Sequence, residues 1–150
     1  MNGMAGQMCR EDNAMGYQNL VFDKESVFLV TGGAGFIGSN LCEAVLNMGY
    51  KVRCLDNLST GKYENIEPFT QNPRFTFIKG DIRDLDSLMK CMQAMQPEIV
   101  IHMAAQPIVR ESYKKPVYTY DVNVMGTVNI LECVRMTDSV RSFINVTTDK

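Results

Sequence analysis

Short apolar runs alternate with segments of helical periodicity from residue 26 onward. Residues 26–31 form a continuous apolar run, and residues 36–48 carry apolar side chains every three or four positions. The same alternation continues along the chain. It predicts strands at residues 26–31, 51–55, 74–78, 98–103 and 142–146, and helices at residues 36–48, 84–95 and 116–136. Strands that alternate with helices are typical of an α/β fold built on a doubly wound parallel sheet.

The segment before the first strand lacks this periodicity. Residues 1–25 are polar and contain Gly, Asn and Met, so we expect a mobile or loosely docked N-terminal arm ahead of a domain at residues 26–150. Within that domain, Gly49 suits the C-terminal cap of the first helix, and Asp84 suits the N-terminal cap of the second.

Composition narrows the class of protein. Hydrophobic residues make up 45% of the chain, charged residues 21%, and the net charge is -2 without a basic cluster. These values are typical of a soluble globular domain and argue against nucleic acid or an anionic membrane as a partner. No apolar run approaches the roughly 18 residues that span a bilayer, and residues 1–25 lack the apolar core of a signal peptide. We therefore expect a cytoplasmic protein whose five scattered cysteines are reduced, and with a single histidine we expect no zinc site.

A glycine-rich segment connects the first strand to the first helix. Gly32, Gly35 and Gly38 are spaced three residues apart. Such glycines permit a tight exit from the strand, close approach of backbone to a pyrophosphate, and close packing of the helix on the sheet. The N–H groups at the start of the helix would face the phosphates. Between a strand and an amphipathic helix, this spacing predicts a dinucleotide site.

Acidic residues follow the next two strands. Asp56 lies 18 residues after Gly38, near the position of an acid that binds a ribose 2′-hydroxyl. A carboxylate there would repel a 2′-phosphate, which favours NAD over NADP, although Asp56 could also merely cap the following turn. Asp81 could accept a hydrogen bond from an adenine amino group, with Ile82 against the ring, or could instead cap the next helix.

The last two strand ends offer small and polar residues. Ala104 and Ala105 are small enough for their loop to lie along the ribose and nicotinamide of a cofactor. His102 is a conceivable general base, but its place inside a strand favours a structural role. Residues 147–150 (TTDK) follow the fifth strand, where a nicotinamide ring would sit.

Taken in order, these motifs carry a family resemblance. TGGAGFIGSNL, LDNLSTG, GDIRD, HMAAQ, NVMGT and VTTDK resemble the extended short-chain dehydrogenase/reductase family of nucleotide-sugar epimerases and dehydratases, over about residues 26–150. The resemblance implies the N-terminal portion of a Rossmann fold that binds NAD and acts on a nucleotide sugar. The cofactor-binding residues that it implies are Gly32, Gly35, Phe36, Ile37, Gly38, Asp56, Asn57, Asp81, Ile82, Ala104, Ala105, Gln106 and Asn123.

The catalytic residues that the resemblance implies are Thr148, Asp149 and Lys150. Thr148 matches the Ser or Thr that hydrogen-bonds the sugar 4-hydroxyl. Asp149 matches the acid that protonates the departing 6-hydroxyl in 4,6-dehydratases, and Lys150 would be the base at C5. HMAAQPIVRESY with VTTDK is most similar to CDP-glucose 4,6-dehydratases, whereas DNLSTG and GDIRD suit UDP-sugar 4-epimerases equally well.

The family's Tyr-x-x-x-Lys pair and its sugar-nucleotide domain would follow residue 150. We therefore expect the chain by itself to be a truncated form without turnover, and the full-length protein to be a homodimer. A non-catalytic NAD-binding fragment or sensor remains an alternative from another class.

Overall fold

The protein is described by a computed structural model that covers residues 22–147. Residues 1–21, which make up most of the expected arm, and Thr148, Asp149 and Lys150 lie outside the described residues.

Five parallel strands form one sheet in the order β3-β2-β1-β4-β5. The strands are β1 (Val27–Thr31), β2 (Lys51–Asp56), β3 (Phe75–Lys79), β4 (Ile99–His102) and β5 (Ser142–Asn145). The chain first winds from β1 outward to β3, and then crosses back to place β4 on the other side of β1. The winding therefore reverses between β1 and β4, where open α/β sheets bind their ligands.

Helices cover both faces of the sheet. They are α1 (Phe36–Asn47), α2 (Leu85–Met95), α3 (Val109–Lys114), α4 (Pro116–Tyr120) and α5 (Gly126–Arg135). A π-helical turn, Asp121–Met125, joins α4 to α5, and we call residues 116–135 the long helix. Asp84 caps α2 as expected, since its carboxylate accepts a hydrogen bond from Ser87 N at 3.0 Å. Gly49 adopts φ 87° after α1, and its N–H donates to Leu46 O, which confirms the expected end of that helix.

The core has two layers because successive strand residues point to opposite faces of the sheet. Leu29 is buried in the layer under α2 and the long helix, whereas Val30 is buried in the layer under α1. The expected doubly wound α/β fold is confirmed.

The helical region after β4 contains more interruptions than the sequence predicted. The periodicity indicated one regular helix at residues 116–136, but α3 precedes it and the π-helical turn interrupts it. Lys115 separates α3 from α4 with φ -133° and ψ 63°. A residue before proline is sterically disfavoured from the helical region, so Pro116 accounts for this break.

The last residues of the expected arm are docked on the sheet. Glu25 forms ion pairs with Lys51 at 2.5 Å and with Arg74 at 3.0 Å. Phe22 packs edge-on against Phe28, with their ring centroids 6.2 Å apart. Phe22 and Glu25, which the sequence assigned to the arm, therefore pack against the sheet.

Two further expectations concern chemistry outside the nucleotide site. The cysteines within residues 22–147, namely Cys42, Cys54, Cys91 and Cys133, are free thiols, and no cluster of metal-ligating side chains occurs in that range. None of the helices described between residues 22 and 147 is long and apolar enough to cross a membrane.

Candidate functional site

The turn between β1 and α1 lies against the loop that follows β4. Gly32 has φ 71°, and a Cβ there would lie 2.8 Å from Ala104 N and 2.9 Å from Ala104 Cα. Both the left-handed backbone and the lack of space therefore require glycine. Gly38 packs equally closely, because a Cβ on it would overlap the carbonyl oxygen of Gly32.

The start of α1 leaves backbone N–H groups without partners. Gly35 is the N-terminal cap and has no side chain to serve as a capping acceptor, and the first turn contains no acidic residue. Within residues 22–147, neither Phe36 N nor Ile37 N has a hydrogen-bond acceptor, and both side chains are exposed. These donors, together with the positive end of the helix dipole, form a site for an anion such as a phosphate.

Two sulfurs lie beneath the same turn. A Cβ on Gly33 would lie 2.5 Å from Cys54 Sγ and 3.2 Å from Cys42 Sγ. Both cysteines are fully buried, and a hydrogen bond with Cys42 together with burial raises the pKa of the Cys54 thiol. The turn therefore rests directly on this pair of buried sulfurs.

Asp56 connects the end of β2 to the glycine turn. Its carboxylate accepts hydrogen bonds from Ala34 N at 3.0 Å and from Leu58 N at 2.8 Å. The second bond is the turn-capping role that the sequence left open, and the first adds a contact that the sequence did not indicate. One bond goes to each carboxylate oxygen, so each retains capacity for a ribose hydroxyl. Gly61 gives this carboxylate room, since a Cβ on it would lie 3.0 Å from Asp56 Oδ2.

Asp81 belongs to a dense charged cluster at the end of β3. Arg83 donates to it through Nε at 3.0 Å and through a terminal nitrogen at 2.7 Å, and Asn57 Nδ2 donates at 3.1 Å. The hydrogen-bonded guanidinium holds the pKa of the Asp81 carboxyl well below its usual range. An adenine amino group would therefore have to displace or share one of these donors, which the sequence did not reveal.

The Ile82 side chain differs from the sequence-based expectation. We expected it against an adenine ring, but it is 4% exposed and packs in the core. A Cβ on Gly126 would overlap Ile82 Cδ1, which shows how closely this side chain contacts the long helix. Only the backbone of Ile82 remains for a ligand.

The loop after β4 is held by amide side chains. Ala104 is half-buried and Ala105 is exposed, as a cofactor-lining role requires. Gln106 instead is buried, and its side chain bonds the N–H and carbonyl of Ile108 and the hydroxyl of Thr119. Asn123 accepts from Gln106 N at 2.7 Å and donates to Gln106 O at 3.1 Å. Gln106 and Asn123 therefore shape the loop, and the Gln106 side chain does not line its surface as we expected.

His102 occupies a structural position at the end of β4. It is 2% exposed, and its ring nitrogens lie 2.6 Å from Thr31 Oγ1 and 3.1 Å from Thr127 Oγ1. Burial lowers the pKa of His102 to about 4. A neutral imidazole with both nitrogens engaged has the structural environment that the sequence favoured over a general base.

Several residues of this site escaped sequence reasoning. Thr31 hydrogen-bonds His102, and Asn65 Nδ2 donates to Ala34 O at 2.8 Å. From the long helix, Thr119 contacts Gln106 in the loop and Thr127 contacts His102 at the end of β4. The spacing of Thr119, Asn123 and Thr127 by four residues is the one signal that could have placed them on a common helix face.

A parallel sheet with a glycine turn, an uncapped helix and an acid at the next strand end defines a dinucleotide-binding Rossmann domain. Comparison with known proteins narrows this class. The family model for GDP-mannose 4,6 dehydratase matches residues 29–150. A putative UDP-glucose 4-epimerase of Methanocaldococcus jannaschii is 48% identical over 112 residues, which are 75% of this chain and 35% of that protein.

Two further matches are similar in extent. A CDP-glucose 4,6-dehydratase of Salmonella typhimurium is 42% identical over 81% of this chain and 34% of its own length. The Thermus thermophilus UDP-glucose 4-epimerase, solved in complex with NAD, matches with a TM-score of 0.67 and 40% identity over 74% of this chain and 34% of that one.

The chain belongs to the GDP-mannose 4,6 dehydratase family, among the nucleotide-sugar epimerases and dehydratases of the short-chain dehydrogenase/reductase type, which confirms the resemblance noted in its motifs. It spans about a third of the length of the Methanocaldococcus and Salmonella relatives.

We predict that Gly32→Ala destabilises the protein by at least about 2 kcal/mol, because a left-handed backbone and a clash with Ala104 act together. Gly80→Ala is the matched control, since its Cβ would meet only Leu55 side-chain atoms at 3.4 Å or more. Urea unfolding measures both variants. Equal stability of the two would contradict the close approach of the turn to the loop.

We predict that His102 makes stability depend on pH. Its pKa is about 4 in the folded state and near 6.5 when unfolded, so the unfolded chain binds the extra proton between these values. The free energy of unfolding should therefore fall by about 3 kcal/mol as the pH is lowered from 6.5 to 4. Urea unfolding across this range measures it, and His102→Asn should lack this component. If the free energy of unfolding depended on pH in the same way for both proteins, the neutral, buried imidazole would be refuted.

Proposed function

We propose that the chain is the NAD-binding part of an enzyme that transiently oxidises a nucleotide-linked sugar at C4. The observation that carries this proposal is the pair of unpartnered N–H groups of Phe36 and Ile37, set beside the carboxylate of Asp56. The first would bind the pyrophosphate, and the second would bind the hydroxyls of the adenosine ribose. The NAD complex of the Thermus relative supports the choice of cofactor.

The residues around the turn fit a dinucleotide. Gly32 and Gly38 let the turn pack closely on the loop after β4 and on itself, and Gly35 has no Cβ to keep a pyrophosphate away from the backbone. Asn57 would share the ribose with Asp56, and Asp81 with the backbone of Ile82 would approach the adenine. Ala104 and Ala105 are small enough for the nicotinamide side to lie along their loop. Gln106 and Asn123 hold that loop in place.

The chemistry at the sugar depends on residues 148–150. Bound NAD would supply the acceptor for a hydride from C4 and, in a dehydratase, the donor that returns it to C6, while the tyrosine of the family's Tyr-x-x-x-Lys pair would take the proton of the 4-hydroxyl. Thr148 would hydrogen-bond the sugar 4-hydroxyl and so orient C4 toward the nicotinamide. Lys150 would take the proton from C5 while Asp149 donates one to the C6 oxygen, so that water leaves. For these roles the pKa of Asp149 must be raised and that of Lys150 lowered, which a dry site supplies.

Our first candidate is a lyase with an activity like that of CDP-glucose 4,6-dehydratase. Asp149 is the reason for this choice, and the Salmonella relative supports it. A nucleotide-sugar 4-epimerase acting on UDP-glucose or UDP-N-acetylglucosamine is the second candidate. It is favoured by the higher identity to the Methanocaldococcus protein, whose name is that of a putative UDP-glucose 4-epimerase. A non-catalytic NAD-binding fragment or sensor is the third, and it would bind cofactor without turnover.

The homodimer also remains a proposal. Apolar side chains on one side of the long helix are exposed, including Val117 at 82% and Tyr120 at 68%, together with Val124, Val128 and Leu131. An apolar stripe of this kind supports burial against a second copy of the protein. A cytoplasmic location likewise remains our proposal.

We predict that the protein at its natural length binds NAD⁺ more tightly than NADP⁺, because the Asp56 carboxylate would repel a 2′-phosphate. Isothermal titration calorimetry measures both affinities. Asp56→Asn should reduce the ratio of the NAD⁺ affinity to the NADP⁺ affinity. Any loss of affinity that the altered turn causes for both cofactors cancels in this ratio. Asp86→Asn, an exposed carboxylate in α2, is the control. No binding of NAD⁺, or a preference for NADP⁺, would refute the proposal.

We predict that the natural-length enzyme converts CDP-glucose to a 4-keto-6-deoxy product, and that Asp149→Asn lowers turnover at least about 100-fold through loss of the general acid. Product analysis by mass spectrometry with CDP-glucose, UDP-glucose and UDP-N-acetylglucosamine measures this. Asp138→Asn, an exposed carboxylate after the long helix, should leave turnover unchanged. A 4-epimer as the sole product would establish the second candidate, and cofactor binding without any product would establish the third.

A further inference from the structure

Thr31 lies where the glycine turn meets the loop after β4. Its Oγ1 accepts hydrogen bonds from Met103 N at 3.1 Å and from Ala104 N at 3.2 Å. The next residue, Gly32, lies so near the Ala104 backbone that a Cβ on it would be 2.8 Å from Ala104 N. One hydroxyl thus joins the two segments that would lie on either side of the cofactor.

The tautomer of the neutral His102 ring follows from the hydrogen bonds of this hydroxyl. Because Thr31 Oγ1 accepts from two amides, its own proton is free to donate to His102 Nδ1, 2.6 Å away. Nδ1 is then an acceptor, so the ring proton is on Nε2 and is donated to Thr127 Oγ1 at 3.1 Å. Thr127 in turn donates to the carbonyl of Asn123 at 2.8 Å. Each hydroxyl and each ring nitrogen in this series therefore has a defined role as hydrogen-bond donor, acceptor or both.

The long helix fixes the other end of the series. Thr119, Asn123 and Thr127 all contact the segment from His102 to Gln106, although residues four apart drift by about 40° around a regular α-helix. The π-helical turn, Asp121–Met125, is wider than an α-helical turn and drifts in the opposite sense. The combination keeps these three polar side chains in one row facing the loop.

We propose that His102 is a positioning residue for cofactor binding. By accepting the Thr31 proton it keeps Thr31 Oγ1 oriented as the acceptor for the Met103 and Ala104 amides, and so it sets the loop against the glycine turn. Its effect on affinity rests on the proposed binding of NAD, whereas its effect on the loop does not.

The test compares two variants of nearly equal shape in the protein at its natural length. His102→Asn places Oδ1 where Nδ1 was and keeps an acceptor for Thr31, whereas His102→Leu removes it. We expect His102→Leu to speed hydrogen exchange at the Ala104 amide, whose acceptor is Thr31 Oγ1, at least about tenfold without ligand, and to weaken NAD⁺ binding about tenfold. His102→Asn should restore both to within about twofold of the unmodified protein.

A double-mutant cycle with Thr31→Val distinguishes positioning through Thr31 from general packing. If His102 acts through Thr31, adding His102→Leu to Thr31→Val should cause no further loss of NAD⁺ affinity. Thr31→Ser keeps the hydroxyl and should therefore behave as the unmodified protein does. If His102→Leu does not fold, Thr31→Ser and His102→Asn are compared with Thr31→Val instead.

Additive losses in the cycle would overturn the proposal, as would unchanged exchange in His102→Leu or failure of His102→Asn to restore it. If the unmodified protein binds no NAD⁺, the proposed function fails. The exchange rates still decide whether His102 positions the loop.

Discussion

The contact between Gly32 and the Ala104 backbone is the constraint on which the rest of the site depends. It brings the end of β1 and the loop after β4 within van der Waals distance, at the point where the winding of the sheet reverses. At the same point Thr31, paired with His102 across β1 and β4, accepts hydrogen bonds from the Met103 and Ala104 amides. A nucleotide bound here would meet two segments already fixed to each other, so little ordering would be needed when it binds.

The sequence predicted the architecture well because its signals are local. Apolar runs between helical stripes identified all five strands, and glycine spacing located the turn. The helix α3 and the π-helical turn were not predicted, and the apolar stripe of the long helix continues through the π-helical turn. Periodicity reports which face is buried, and it is insensitive to one extra residue in a single turn.

In the site, the sequence predicted the positions of residues better than the directions of their side chains, for a physical reason. The positions of Asp56 and Asp81 follow from strand ends, but the direction of a side chain depends on partners far along the chain. Ile82 turns into the core because Gly126, 44 residues later, leaves space for it. The Gln106 side chain turns inward because Thr119 and the Ile108 backbone offer it hydrogen bonds. Neither partner is visible as a pattern around the residue itself.

The sulfurs beneath Gly33 have a consequence for how motion of this turn can be followed. Cys42 and Cys54 are sealed from solvent while the turn is closed, and the pKa of Cys54 is raised, so neither thiol reacts readily. Alkylation of this pair therefore requires a transient local opening. The alkylation rate of Cys42 and Cys54 would therefore report how often the glycine turn between β1 and α1 moves away from the sheet, without an introduced probe.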